Sequence, residues 1–210
     1  MEVVALRFMA SKISTELEIL MKNLEAINAP VLKLLNPPID EGKLIGFFDG
    51  YFPGIPISED IKDIFLWHDG TTVENNVPVR KSYLFEGFYL NSMLEMQTIM
   101  ETNERFYKLK EHGFLPLFST GHGEYLALNL KDYSINPEKT PLYYLSTWNP
   151  EFELYTSMYD SFYQMLNTVN ECFKQNGCFI NTEDFMLDYD SKIYNRISKG
   201  MNPNSEYWKL

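Results

Sequence analysis

The chain has 210 residues, 45% of them hydrophobic and 22% charged, an ordinary globular balance that argues against a disordered or fibrous polypeptide. Eighteen Lys and Arg against 29 Asp and Glu leave a net charge of -11, which disfavours direct binding to nucleic acid and points to basic or neutral partners. Two cysteines, Cys172 and Cys178, are too few for a disulfide framework or a tetrahedral zinc site. The apolar run at Val3 to Leu6 follows Glu2 and is broken by Arg7, unlike a signal peptide, and no stretch reaches the ~18 apolar residues of a membrane span. The expected location is the cytoplasm, with no membrane association.

From the N-terminus, Ile13, Leu17, Leu20, Leu24 and Ile27 recur in steps of four and three, the stripe of an amphipathic helix that Pro30 ends. Five such positions are too few for a coiled-coil seam, so this helix is expected to pack on the domain. After Asn36-Pro37-Pro38 comes an element over Asp40 to Phe48. Ser58 is the N-cap of the next helix, with Glu59 and Asp60 in its first turn, and the segment halts at Asp69-Gly70. A strand is expected around Tyr83 to Leu90. Ser92 and Glu95 have the spacing of a capping box, opening a helix that Gly113 closes.

Phe114 to Phe118 and Glu124 to Leu130, joined by Gly121-His122-Gly123, form an expected antiparallel hairpin. Pro141 to Leu145, with Phe152 and Leu154 beyond Trp148-Asn149-Pro150, indicates another. Ser157 precedes a further helix, in which Tyr159, Phe162, Leu166, Val169 and Phe173 form the apolar stripe before Gly177. An acidic segment (Glu183, Asp184, Asp188, Asp190) and a tail, Asn202-Pro203 to Tyr207-Trp208, complete the chain. Helices, an antiparallel meander and more helices make an α+β fold.

Particular residues carry a resemblance. Ile55-Pro56, Ser58-Glu59-Asp60-Ile61 and Leu66-Trp67-His68-Asp69-Gly70 resemble the first signature of the SUKH superfamily. Phe114-Leu115-Pro116-Leu117-Phe118 with Gly121 to Leu130 resembles its second, although Asn129 stands where aspartate is commoner. Ser161-Phe162 is similar to the start of the closing helix, and Asn202-Pro203 to Tyr207-Trp208 to a C-terminal motif of some members. The resemblance spans Asn36 to Trp208. It implies an antiparallel sheet of four to six strands flanked by N- and C-terminal helices, in one domain over residues 1–210 with residues 1–35 as a helical extension packed on it. No cofactor is implied. The superfamily contains fungal cell-wall-assembly regulators and many bacterial immunity proteins that bind and block a toxin.

Catalytic readings find little support. His68 and Asp69 are consecutive, so their side chains do not face each other on a helix; they are expected to pack and to turn the chain. His122 and Glu124 lack a third metal ligand at any recognisable spacing. Gly121-His122-Gly123 lacks the context of a phosphate loop, no Gly-x-Ser-x-Gly elbow occurs, and Cys172 lies within an apolar helical stripe. The expectation is a non-enzymatic immunity protein, a monomer or homodimer without metal or cofactor, that neutralises a cognate, basic toxin domain such as a nuclease. A regulatory or scaffolding module is the alternative, and a hydrolase at His68 or His122 a remote one. Residues 51–100 carry seven acids and three bases, and residues 151–210 nine acids and five bases. The expected interface is the sheet face and loops around Asp69, Glu74, Glu86 and Glu124, with Tyr83 and Tyr89 as aromatic anchors. The run from Glu183 to Asp190 is the other candidate.

Overall fold

A computed structural model describes residues 11–73, 77–147 and 156–209, the Arg105 side chain excepted. Helix α1 (Lys12–Ala26) is capped by Ser11, whose hydroxyl accepts from Ser14 N, and it buries Ile13, Leu17, Leu20 and Leu24. Each such side chain contributes about 2 kcal/mol by leaving water, so this stripe accounts for the packing of the helix on the molecule. Helix α2 (Glu41–Tyr51) is capped by Asp40 and α3 (Glu59–Trp67) by Ser58, as expected for the latter. Beyond α3, Gly70 adopts φ +73°, and a Cβ there would lie 2.2 Å from Ser92 N. The glycine is required because another backbone passes over it.

The main sheet is an antiparallel meander in the order β1 (Tyr89–Leu90), β2 (Phe114–Ser119), β3 (Glu124–Asn129), β4 (Leu142–Ser146), β5 (Thr156–Tyr159). A register shift between Pro116 and Phe118 marks a bulge in β2, at the proline that cannot donate to the ladder. Helices α4 (Met93–Thr102) and α5 (Glu104–Glu111) cover one face, where Ile99 and Phe106 meet Phe114, Ala127 and Leu145. The other face, with Leu115, Leu117, Leu126, Leu128 and Leu142, joins the large core built on α1, α3 and α7 (Phe162–Lys174). Helix α1 is tied to α7 by Asn170 Nδ2, which donates to Glu16 O at 3.0 Å, and by Asn23 Nδ2, which donates to Asn170 Oδ1 at 3.0 Å.

Several expectations need correction. The segment Tyr83 to Leu90 is a strand only at Tyr89–Leu90; the remainder contains a tight turn in which Gly87, at φ +73°, returns Phe88 to bond Phe85 O at 2.9 Å. The helix from Ser92 to Gly113 is two helices, because Asn103 is extended and its side chain accepts from Phe106 N. Ser92 does cap Glu95 N, but the Glu95 carboxylate accepts from the Tyr89 hydroxyl at 2.6 Å instead of closing the capping box. Ser157 and Tyr159 belong to β5, and Ser161 caps α7. Phe152 and Leu154 lie outside the described residues. Helix α6 (Leu130–Ile135), the two-stranded hairpin β6 (Cys178–Ile180) and β7 (Leu187–Tyr189), and α8 (Ser191–Met201) were not anticipated.

Asn202 joins these late elements. Its Nδ2 donates to Thr168 Oγ1 and Ser198 O, both at 3.0 Å, and its Oδ1 accepts from Asp160 N at 3.1 Å. Glu206 N then bonds Ser157 O at 3.1 Å, which lays the C-terminal tail along β5 and brings Tyr207 to the sheet.

Candidate functional site

The residues expected at an interface divide into two groups. Asp69 lies just past α3, where its Oδ1 accepts from Met93 N at 2.8 Å and its carbonyl takes Asn36 Nδ2 at 2.7 Å. It joins the end of α3 to the start of α4. Tyr89 is 3% exposed and spends its hydroxyl on Glu95, so it shows a partner almost no surface; burial raises its pKa and that of Glu95. Glu74 lies outside the described residues.

Tyr83 and Glu124 come together at one end of the sheet, with Glu86 three residues beyond Tyr83; Tyr83 itself is buried, so it offers a partner little surface. The Tyr83 hydroxyl donates to Thr120 O at 3.0 Å, and Thr120 Oγ1 donates to Glu124 Oε2 at 2.6 Å. This links the turn after β2 to the segment before β1. Burial raises the Tyr83 pKa; the Arg80 charge opposes this, and Glu124 and Tyr189 add to it. Glu86 occupies the Phe85 to Phe88 turn; its Oε2 is enclosed and has no hydrogen-bond partner, and burial pushes the carboxyl up to about 8. At neutral pH it is therefore mostly a neutral acid, since an isolated carboxylate is costly away from water.

Three tyrosines absent from the expected set complete this end of the sheet. Tyr144 of β4 lies 5.2 Å from Tyr207 of the tail, and Tyr207 packs edge-on to Trp208 at 4.8 Å. Tyr189 of β7 meets Tyr194 of α8 at 5.7 Å, and the Tyr194 hydroxyl reaches that of Tyr159 at 3.2 Å. Burial is the main cause of the raised Tyr207 pKa, followed by the charges of Glu86, Tyr189 and Glu124. Burial also pushes Tyr144 up to about 12, with Glu124 the next cause. Tyr144 and Tyr207 are half-buried and Tyr189 is exposed, leaving aromatic area accessible beside acids. A hollow of about 430 Å³ opens here, lined among others by Arg80, Tyr83, His122, Asp188 and Tyr189. Arg80 spans the hairpin acids, 3.1 Å from Asp184 and 3.8 Å from Asp188.

The tail supplied a sequence signal for Tyr207, which lies within the C-terminal motif. Nothing local marked Tyr144 or Tyr189, whose relation to Tyr207 and to Glu86 respectively is created by chain crossings. The cluster offers acceptors and flat aromatic area, the means of recognition.

The proposed catalytic positions have structural work. His68 Nδ1 lies 2.6 Å from the Asn36 carbonyl, so it carries a proton and donates, while the ring packs against Trp67 at 4.7 Å. Cys172 and Cys178 are buried, and burial pushes Cys172 up to about 12 and Cys178 higher still, the reverse of an activated thiol. Among the described residues, no group of three or more His, Cys, Asp or Glu is placed to hold a metal ion, and no helix is long and apolar enough to cross a membrane.

The model of the SMI1 / KNR4 family (SUKH-1) matches residues 51–168, from the last residue of α2 into α7. A search of curated proteins found no match to the chain. The matched region includes the α3 segment, the β2–β3 hairpin and the Ser161 cap that carried the resemblance, as well as Tyr83, Glu86, Glu124 and Tyr144. It covers more than half of the 210 residues: the chain belongs to the SMI1 / KNR4 family (SUKH-1).

Proposed function

We propose that this protein is a cytoplasmic immunity protein that neutralises a cognate toxin domain by stoichiometric binding, without catalysis or cofactor, and that the whole chain acts as one domain with α1 as its N-terminal extension. The observation that carries the reading is the accessible aromatic area of Tyr144, Tyr207 and Tyr189 beside Glu124 at one end of the sheet, on a chain of net charge -11. The half-buried Tyr144 and Tyr207 and the exposed Tyr189 lose little entropy when covered, and Glu124 and the hairpin acids complement the basic cleft that a toxin acting on nucleic acid needs for phosphates. Membership of the family supports the reading, because the SUKH superfamily includes immunity proteins.

The test is survival. A toxin domain encoded beside this gene is induced in a sensitive host with and without the chain; the proposal expects growth only with it. Equal killing in both cultures, for every adjacent candidate, would sink it and leave the regulatory or scaffolding role as the better reading.

A further inference from the structure

The β6–β7 hairpin presents an aromatic side chain against local backbone preference. Among the described residues, three other than glycine have positive φ: Asn28 at 52°, Asn176 at 57° and Phe185 at 57°. Asparagine tolerates this conformation and a bulky aromatic residue does not, so Phe185 is the exception. Its side chain does not recover the cost by burial, being 69% exposed at the hairpin tip.

The tip is held firmly. Asn181 N bonds Met186 O and Phe185 N bonds Asn181 O, each at 2.9 Å; Glu183 N bonds Asn181 Oδ1 at 2.9 Å, and Met186 N bonds Asp184 Oδ1 at 3.1 Å. Arg80 fastens Asp184 and Asp188 from outside. Phe179, 41% exposed, pairs in register with Asp188, adding apolar area on the same ribbon. Residues 181–190 contain four acids and no base. The base of the hairpin, Asp188 and Tyr189, lines the hollow beside Tyr83, so the tip continues the face described above.

We propose that Phe185 is the anchor of the toxin interface: it enters an apolar pocket on the partner whose rim is basic, with Glu183 and its neighbouring acids facing that rim. The occupant is the toxin domain, chosen for charge complementarity to this acidic hairpin, and the inference rests on the immunity reading. A rigid, desolvated aromatic anchor surrounded by charged contacts is the usual form of a binding hot spot.

The experiment measures binding of the full chain, Phe185→Asn and Phe185→Leu to the adjacent-gene toxin domain by surface plasmon resonance, with melting curves for each variant. Phe185→Asn should bind about 30-fold more weakly or worse, chiefly through faster dissociation, while melting at the same or a higher temperature. Phe185→Leu, which keeps an apolar anchor, should stay within about tenfold of the parent. Binding by Phe185→Asn within about threefold of the parent would overturn the proposal, as would a clear fall in its melting temperature, which would assign Phe185 to packing within the chain. Failure of the parent itself to bind would instead strike the immunity reading, and this inference with it.

Discussion

Replacing Glu86 with glutamine should stabilise the protein, by an amount set by pH. Glutamine keeps the shape of the neutral acid and cannot ionise. Glu86 Oε2 is enclosed without a partner, and the carboxyl moves from its ordinary 4.5 to about 8 on folding. The folded value is the higher one, so the contribution of this group to stability is complete below pH 4.5, shrinks as pH rises, and is lost once pH passes about 8. At about 1.4 kcal/mol per pH unit, the full loss is about 5 kcal/mol. At pH 7 the unfolded chain has gained about 3 kcal/mol by ionising Glu86, while the folded chain has gained almost nothing. Denaturant unfolding of both proteins from pH 4 to pH 9 should therefore show near-equal stability at pH 4, an advantage for Glu86→Gln of about 3 kcal/mol at pH 7 and about 5 kcal/mol at pH 9. Taking the difference cancels the other titrating groups, provided they do not couple to this one. For a chain of this size the pH 7 advantage corresponds to about 6 to 12 °C in Tm. A difference that stays constant across the pH range, or a variant less stable at pH 9, would refute the view of Glu86 as an unpaired buried acid.

Three further expectations are independent of the partner, and a fourth concerns it. Gly70→Ala places a Cβ 2.2 Å from Ser92 N at a positive φ and should cost about 3 kcal/mol or more, read as a loss of soluble, cooperatively folding protein; normal melting would contradict the close crossing. Asn202→Ala removes three hydrogen bonds that join α7, α8 and the β5–α7 turn and should cost about 3 kcal/mol in urea unfolding; a change within error would dismiss it as a linchpin. Cys172 and Cys178 should react with a thiol reagent at pH 8 only as fast as the chain unfolds, because burial raises both thiols; immediate labelling of the native protein would show an exposed thiolate. Glu183→Lys, exposed at the hairpin tip, should slow association with the toxin and flatten its salt dependence with little change in dissociation; an unaltered association rate would place the steering charge elsewhere.

What could be read from the chain was local. The α1 stripe, the Ser58 cap and the β2–β3 hairpin each express a periodicity or a cap within a few residues, and each appears where the pattern put it. Elements shaped by distant contacts were hidden. Tyr83 to Phe88 has the apolar, aromatic composition of a strand, but the Gly87 turn folds Phe88 back onto Phe85, and only two residues pair with β2. The α8 core positions are Tyr194, Ile197 and Ser198, too few apolar residues to announce a helix beside so many charges. The site was half legible for the same reason. Acid and tyrosine content marked Tyr83, Glu86 and Glu124, whereas Tyr207 reaches Tyr144 on the sheet through a tail that Glu206 bonds to Ser157, 49 residues earlier. The same expectation placed Tyr89 at the surface, since its place beneath α4 follows from a hydrogen bond to Glu95 and not from any period.

The central claim, inhibition by coverage, is tested most directly by titrating the purified chain into a fixed amount of the active toxin domain and following the toxin's own turnover. The account predicts activity that falls in a straight line and ends at one chain per toxin, weakening as salt is raised. Undiminished turnover at a large excess of this chain, or consumption of a substrate by the chain alone, would contradict it.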